Sequence, residues 1–286
     1  QNVRGMDAGT ILGMNRLTLL DGPVGTELAR RGLELALPLW SAAVLDEAPE
    51  LLSDIHRDYA AAGATVHTAN TFRTDGWSLR KVGLEKRWED LTVSAVELAR
   101  TAVPPEHLVA GSLSPLEDCY RPDLSPAPGV CLREHRRTAQ LLADAGVDLL
   151  LCETFPHPGE ALAALEASLE TGLPVWLSMT QGPFGDLLDS ARLLQALADA
   201  AARGAASVLV NCSSVGGVRP LLEGLAALQV PFGVYGNVGE PDEVTGWRND
   251  GDARPGPYAE AARAWIGAGA TILGGCCGTT PAHIAA

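Results

Sequence analysis

Positive charge is scarce in this chain of 286 residues. Lys and Arg number 21 against 35 Asp and Glu, a formal net charge of −14. Nucleic acids and anionic membrane surfaces are held by clustered Lys and Arg, so neither is expected as a partner. Long apolar runs are missing as well. No stretch approaches the ~18 apolar residues that a membrane helix needs. Residues 1–14 lack the apolar centre of a secretory leader. Cysteines number six, sparse for so long a chain, which favours reduced thiols and a cytoplasmic setting over a disulfide framework.

Several chemical signatures are absent too. There is no H-E-x-x-H, G-x-S-x-G or P-loop pattern, so metalloprotease, serine hydrolase and nucleotide hydrolase readings have no support. The turn after the first apolar run reads Asp21-Gly22-Pro23-Val24-Gly25-Thr26, without the G-x-G-x-x-G spacing of a dinucleotide site. No C-x-x-C spacing marks a redox dithiol, and a disulfide between neighbouring cysteines is strained. The six histidines form no recognisable site. His67 falls in a strand-like run and reads as a core residue, His56 and His135 lie on helical segments, and His107 precedes a strand. His157 or His283 could complete a metal shell.

What is present is alternation. Hydrophobic residues make up 47 % of the chain, enough for a sizeable core. Short β-rich apolar runs occur at 17–20, 65–68, 108–110, 147–151, 175–177, 208–210, 232–235 and 271–273, separated by longer Ala/Leu/Glu/Arg-rich stretches. The segment 49–63 shows the helical pattern. Pro49 suits a first turn, Leu51, Ile55, Tyr59 and Ala62 make one stripe, and Gly63 ends it. Helix-like segments also run into Gly146, Gly172, Gly204 and Gly269, each followed by a strand-like run. Eight alternating strands in a chain of this length predict an α/β fold, a single (β/α)8 TIM barrel. Residues 1–15 read as a poorly ordered N-terminal extension, and residues 16–286 as the barrel. Two Pro/Gly-rich loops, 121–130 and 239–257, follow strand ends on the active-site side.

Three cysteines carry the chemistry. Cys212 ends the run Ser207-Val208-Leu209-Val210-Asn211-Cys212, and two more sit side by side in Gly274-Gly275-Cys276-Cys277-Gly278-Thr279. Each lies where a strand meets a loop. Three thiolates together make a soft site that selects zinc and leaves one tetrahedral position open. Cys119, Cys131 and Cys152 read as incidental. Two carboxylates also end strands. Glu153 shares a strand face with Leu149 and Leu151, which turns Cys152 toward the helices, and Asp21 ends the first strand. Together they suit an ammonium group.

These residues resemble the homocysteine S-methyltransferase family, zinc-dependent barrels shared by the homocysteine module of methionine synthase and by betaine- and S-methylmethionine-dependent enzymes. The resemblance spans nearly the whole chain, from Leu19-Leu20-Asp21-Gly22 to Cys276-Cys277-Gly278-Thr279. Thr26-Glu27-Leu28, Pro38-Leu39-Trp40-Ser41, Ala69-Asn70-Thr71-Phe72 and Cys152-Glu153-Thr154 also fit. It implies that Cys212, Cys276 and Cys277 are zinc ligands and the catalytic centre. It implies that Asp21, Glu153 and Asn70 contact the substrate, with Asn237 close to the metal. The implied activity is transfer of a methyl group from a small donor, S-methylmethionine or S-adenosylmethionine preferred, to the thiol of homocysteine, giving methionine. The partners are then a small thiol and a small methyl donor. The alternative is a non-enzymatic zinc-binding barrel, or a methyltransferase subunit with a different thiol acceptor. An open metal position argues against the first, because structural zinc sites are normally closed.

Overall fold

The computed structural model describes residues 17–242, 246–248 and 254–286. The extension expected over 1–15 and part of the 239–257 loop lie outside the described residues. Eight strands make the barrel wall: β1 (Thr18–Leu19), β2 (Val66–Thr68), β3 (Leu108–Leu113), β4 (Leu149–Phe155), β5 (Val175–Met179), β6 (Ser207–Ser214), β7 (Phe232–Asn237) and β8 (Ile272–Leu273). All pair in parallel, in the order β1-β8-β7-β6-β5-β4-β3-β2. A parallel bridge between Leu20 and Val66 joins β1 to β2 and closes the ring. The expected TIM barrel is therefore the observed fold. Among the described residues no helix is long and apolar enough to cross a membrane.

The helices used below are α1 (Pro49–Ala61), α2 (Trp88–Ala102), α3 (Pro128–Asp144) and α4 (Pro158–Leu169). In α1, proline stands at the first turn and Gly63 follows at φ +106°, a left-handed conformation that only glycine adopts without strain. The buried face differs slightly from the sequence stripe. Leu52, Ile55, His56 and Tyr59 are the buried residues, so the helix is rotated to bring His56 against the barrel.

Strand alternation sorts the core into two layers. Leu149 and Leu151 of β4 point inward, where they pack with Leu20, Val66, Trp176, Leu209 and Ile272. Leu150 and Cys152 point outward into the layer between strands and helices. The Cys152 Sγ sits 3.3 Å from the Ser168 Oγ of α4. Trp176, fully buried, plugs the barrel interior, so the barrel is a packed core with its opening confined to one end.

One side chain ties the tops of three strands together. The Asn211 Oδ1 accepts from the Thr154 backbone N–H (3.1 Å) and the Ser178 hydroxyl (2.7 Å), while its Nδ2 donates to the Thr154 Oγ1 (2.8 Å). These bonds link β4, β5 and β6 where two non-glycine residues hold left-handed backbone, Thr154 at φ +65° and Cys212 at φ +47°. Such backbone costs about 1–3 kcal/mol per residue and persists only where its surroundings enforce it. We expect Asn211→Ala to orphan three buried partners and lower the unfolding free energy by about 2–4 kcal/mol, measured by urea denaturation. A loss below about 0.5 kcal/mol would show that the strand tops hold without the clamp.

Candidate active site

At the C-terminal end of the barrel, β6 and β8 flank β7. That spacing brings Cys212, near the end of β6, beside the Cys276–Cys277 pair that follows β8. The three sulfurs lie within 4.8 Å of one another, and those of Cys212 and Cys276 are 2.8 Å apart. The framing glycines of the pair are explained by crowding. A Cβ on Gly274 would sit 2.6 Å from the Leu20 Cβ, and one on Gly278, whose φ is +80°, would strike the Val238 carbonyl. Backbone bonds from Cys276 N to Gly236 O and from Val238 N to Cys277 O, both 3.0 Å, fix the pair against β7.

Three sulfurs this close cannot all ionise unless a cation joins them. Hydrogen bonds from Cys212 and Cys277 pull the Cys276 thiol well below its ordinary range, and the same pairing with Cys276 pushes Cys212 up. Three soft sulfur donors at this separation suit a thiophilic divalent ion.

The sulfurs form the floor of a cavity of about 400 Å³ that also exposes Asp21 and Glu153. Glu153 is oriented at both oxygens: the Ser112 hydroxyl donates to Oε1 (2.5 Å) and the Tyr235 hydroxyl to Oε2 (3.0 Å). Enclosure by protein raises its carboxyl to about 7, with the nearby Cys276 sulfur adding to the effect. Asp21, 4 % exposed, accepts from the Thr68 backbone N–H (2.9 Å) and the Thr68 hydroxyl (3.0 Å). Burial outweighs those bonds and raises its carboxyl to about 8. Both acids are thus short of a positive partner, which is what a buried carboxylate needs before it ionises.

Trp40, Phe72 and Tyr120 give the same cavity an aromatic wall. Trp40 stands at φ +49°, strained for a bulky residue, and its indole packs so closely on Gly25 that no side chain fits there. The structure assigns Asn70 a holding role on this wall. Its Nδ2 donates to the Ser41 carbonyl (2.8 Å) and its Oδ1 accepts from the Ser41 hydroxyl (2.6 Å). Asn70 lines the cavity, yet its amide is spent on anchoring the segment that carries Trp40.

Other expectations come out differently. Asn237 ends β7 between Gly236 and Val238, whose backbone groups bond the cysteine pair, but its buried side chain has no hydrogen-bond partner among the described residues and lines a second, smaller cavity with Ser214 and Tyr258. It does not line the cysteine cavity. His157 caps α4 by accepting from Glu160 N (3.2 Å), and His283 pairs with Thr280 in a capping box, so neither joins the sulfur group. Cys131 and Cys152 are buried in the helix layer, as expected. Cys119 lines the same cavity as the three cysteines, and burial pushes its thiol up to about 12. Its place in a loop gave no periodicity from which to read its direction.

The raised Asp21 carboxyl has a stability consequence. Folded, it keeps its proton to about pH 8; unfolded, it loses it near its ordinary value of 3.8. Between those limits the unfolded chain releases the proton and the folded chain does not, so stability falls as pH rises. In chelator-treated, ligand-free protein, Asp21→Asn is expected to raise the thermal midpoint little at pH 4 and by several degrees at pH 8, at about 2–4 °C per kcal/mol. A gain that shrinks with pH would refute the protonated assignment.

Comparison with known proteins agrees with this geometry. The family model described as homocysteine S-methyltransferase matches residues 18–286. The chain is 36 % identical to the homocysteine S-methyltransferase of Escherichia coli (strain K12), covering 96 % of each protein. It is 30 % identical to a selenocysteine Se-methyltransferase of Brassica oleracea var. italica, covering 94 % of this chain and 87 % of the relative. The crystal structure of the homocysteine methyltransferase MmuM from Escherichia coli in its metallated form matches with a TM-score of 0.80 at 32 % identity, covering 96 % of both chains. The chain belongs to the homocysteine S-methyltransferase family, a family of transferases.

Proposed function

We propose that the protein transfers a methyl group from a small sulfonium donor, S-methylmethionine or S-adenosylmethionine, to the thiol of homocysteine, giving methionine, with Zn2+ held by Cys212, Cys276 and Cys277. The observation that carries this reading is the placement, in one cavity, of three clustered sulfurs and two carboxyls that no Lys or Arg among the described residues pairs with. The sulfurs offer three ligands and the cavity side offers the fourth position, which suits capture of a small thiol. Zinc, when bound, supplies a Lewis acid that keeps the acceptor sulfur ionised at neutral pH.

The chain's own residues do the rest. A free thiol titrates near 8.5, so ionising it removes at most about 2 kcal/mol of barrier. Alignment of donor and acceptor contributes more, ~7–11 kcal/mol for well-oriented reactants. Glu153, fixed by Ser112 and Tyr235, and Asp21, fixed by Thr68, receive the ammonium of the amino-acid acceptor. Each then ionises, because the cation supplies the partner that burial withheld. Trp40, Phe72 and Tyr120 exclude water and offer aromatic faces to a cationic donor. In the transfer, a new S–C bond forms as the donor's S–C bond breaks, and the bond pair stays on the donor sulfur as a neutral thioether. Thiolate and sulfonium are consumed together, so charge disappears toward the transition state. A dry apolar cavity favours that change.

The assay that tests this reading is zinc-loaded protein with homocysteine against a panel of S-methylmethionine, S-adenosylmethionine and betaine, with methionine as readout. No methionine from any donor would overturn it. Metal ligation is checked separately. Cys276→Ala is expected to remove the near-UV sulfur-to-metal absorption of the Co2+-substituted protein, whereas Cys131→Ala, in the helix layer, keeps it. Glu153→Gln keeps the shape and loses the charge. It is expected to weaken homocysteine binding about ten- to a hundred-fold, or about 1.4–2.8 kcal/mol. A thiol without an amino group is expected to bind wild type and variant equally. Loss of metal from Glu153→Gln would instead place Glu153 in the metal shell.

A further inference from the structure

Behind the cavity wall lies a second cluster of ligating side chains. Asp21 from the end of β1, His56 from the buried face of α1 and His67 from β2 each bring one donor atom within 4.8 Å of the others. Both histidines are 0 % exposed and Asp21 is 4 % exposed. Neither nitrogen of His56 has a hydrogen-bond partner, nor does the Nδ1 of His67. An imidazole sealed from water with both nitrogens unpaired is costly and calls for an occupant.

The surroundings are those of a ligand set. The Nε2 of His67 is hydrogen-bonded to the Nδ1 of His107 at 3.1 Å. With Nε2–H as the donor, the His67 Nδ1 carries a lone pair that no hydrogen bond occupies. A metal-ligating histidine characteristically has its other nitrogen held in this way. Asp21 is likewise oriented, by the backbone N–H and hydroxyl of Thr68. Asp21 also lines the main cavity. Two imidazoles and one carboxylate suit Zn2+, Co2+ or Fe2+, and suit poorly the all-oxygen preference of Ca2+ or Mg2+.

We infer that Asp21, His56 and His67 form a second divalent transition-metal site, distinct in donor chemistry from the three cysteines. Such an ion ties α1 to the tops of β1 and β2 and places a positive charge at Asp21; with the ion bound, Glu153 alone is left to receive an acceptor's ammonium. The inference holds whichever thiol the protein methylates.

The test uses Co2+ alone. The variant Cys212→Ser/Cys276→Ser/Cys277→Ser, stripped with chelator, is expected to retain one Co2+ per chain after desalting, with visible d–d bands and no near-UV sulfur-to-cobalt absorption. Adding His56→Gln or His67→Gln is expected to weaken that binding more than about 100-fold. A parallel titration uses wild type with its thiolate site already filled. It is expected to take up one further Co2+, which His56→Gln abolishes; this arm decides alone if the triple variant does not fold. Saturation of the wild type at one ion would overturn the inference, as would a second ion unaffected by both histidine substitutions.

Discussion

Closure of a parallel eight-strand ring is the constraint on which the rest depends. It sets β6 and β8 on either side of β7 and brings sulfurs 64 residues apart in the chain to 2.8 Å. The ring leaves little freedom at its upper rim. Asn211 joins three strand tops, and the residues on either side of its bonds, Thr154 and Cys212, take up left-handed backbone that would not persist alone. A sulfur ligand on a loop would wander. A sulfur on a clamped strand end is held for a metal before the metal arrives.

The same rim concentrates unfavourable electrostatics. Three sulfurs crowd together, and burial holds two nearby carboxyls up to about 7 and 8. These costs are borne by the core beneath, where Leu149, Leu151, Trp176 and Leu209 are completely enclosed. A site that is unstable when empty is one that binds cations, and the proposed transfer involves several: the metal, the ammonium and the sulfonium donor. The negative field of the chain as a whole points the same way.

The aromatic wall follows a different logic. Trp40 is held in place by close contact with Gly25 and by the Asn70–Ser41 pair beneath it. Those residues belong to segments far apart in sequence, and each looks unremarkable by itself. Their joint effect is to shape a mostly apolar cavity next to charged groups, the environment in which opposite charges gain most from cancelling each other.

Much of this was legible from residues alone. Apolar runs of strand length, helical stripes and glycine stops gave eight β/α units, because period and punctuation are local properties of the chain. Glu153 was legible for a related reason, since strand alternation tells which side chains point inward, and the three cysteines were legible from their place where apolar runs meet Gly/Ser/Thr loops. Where a side chain's direction depended on packing, tertiary structure decided. Asn237 turns its amide into a neighbouring cavity, Asn70 spends its amide on Ser41, and Cys119 swings from a loop into the cysteine cavity. The histidines show the limit most plainly. His56 and His67 lie on different elements with unrelated periodicities, and only the rotation of α1 against β2 brings their nitrogens to Asp21. Local sequence sets which face a strand or helix can bury; the docking of those faces sets which polar groups meet.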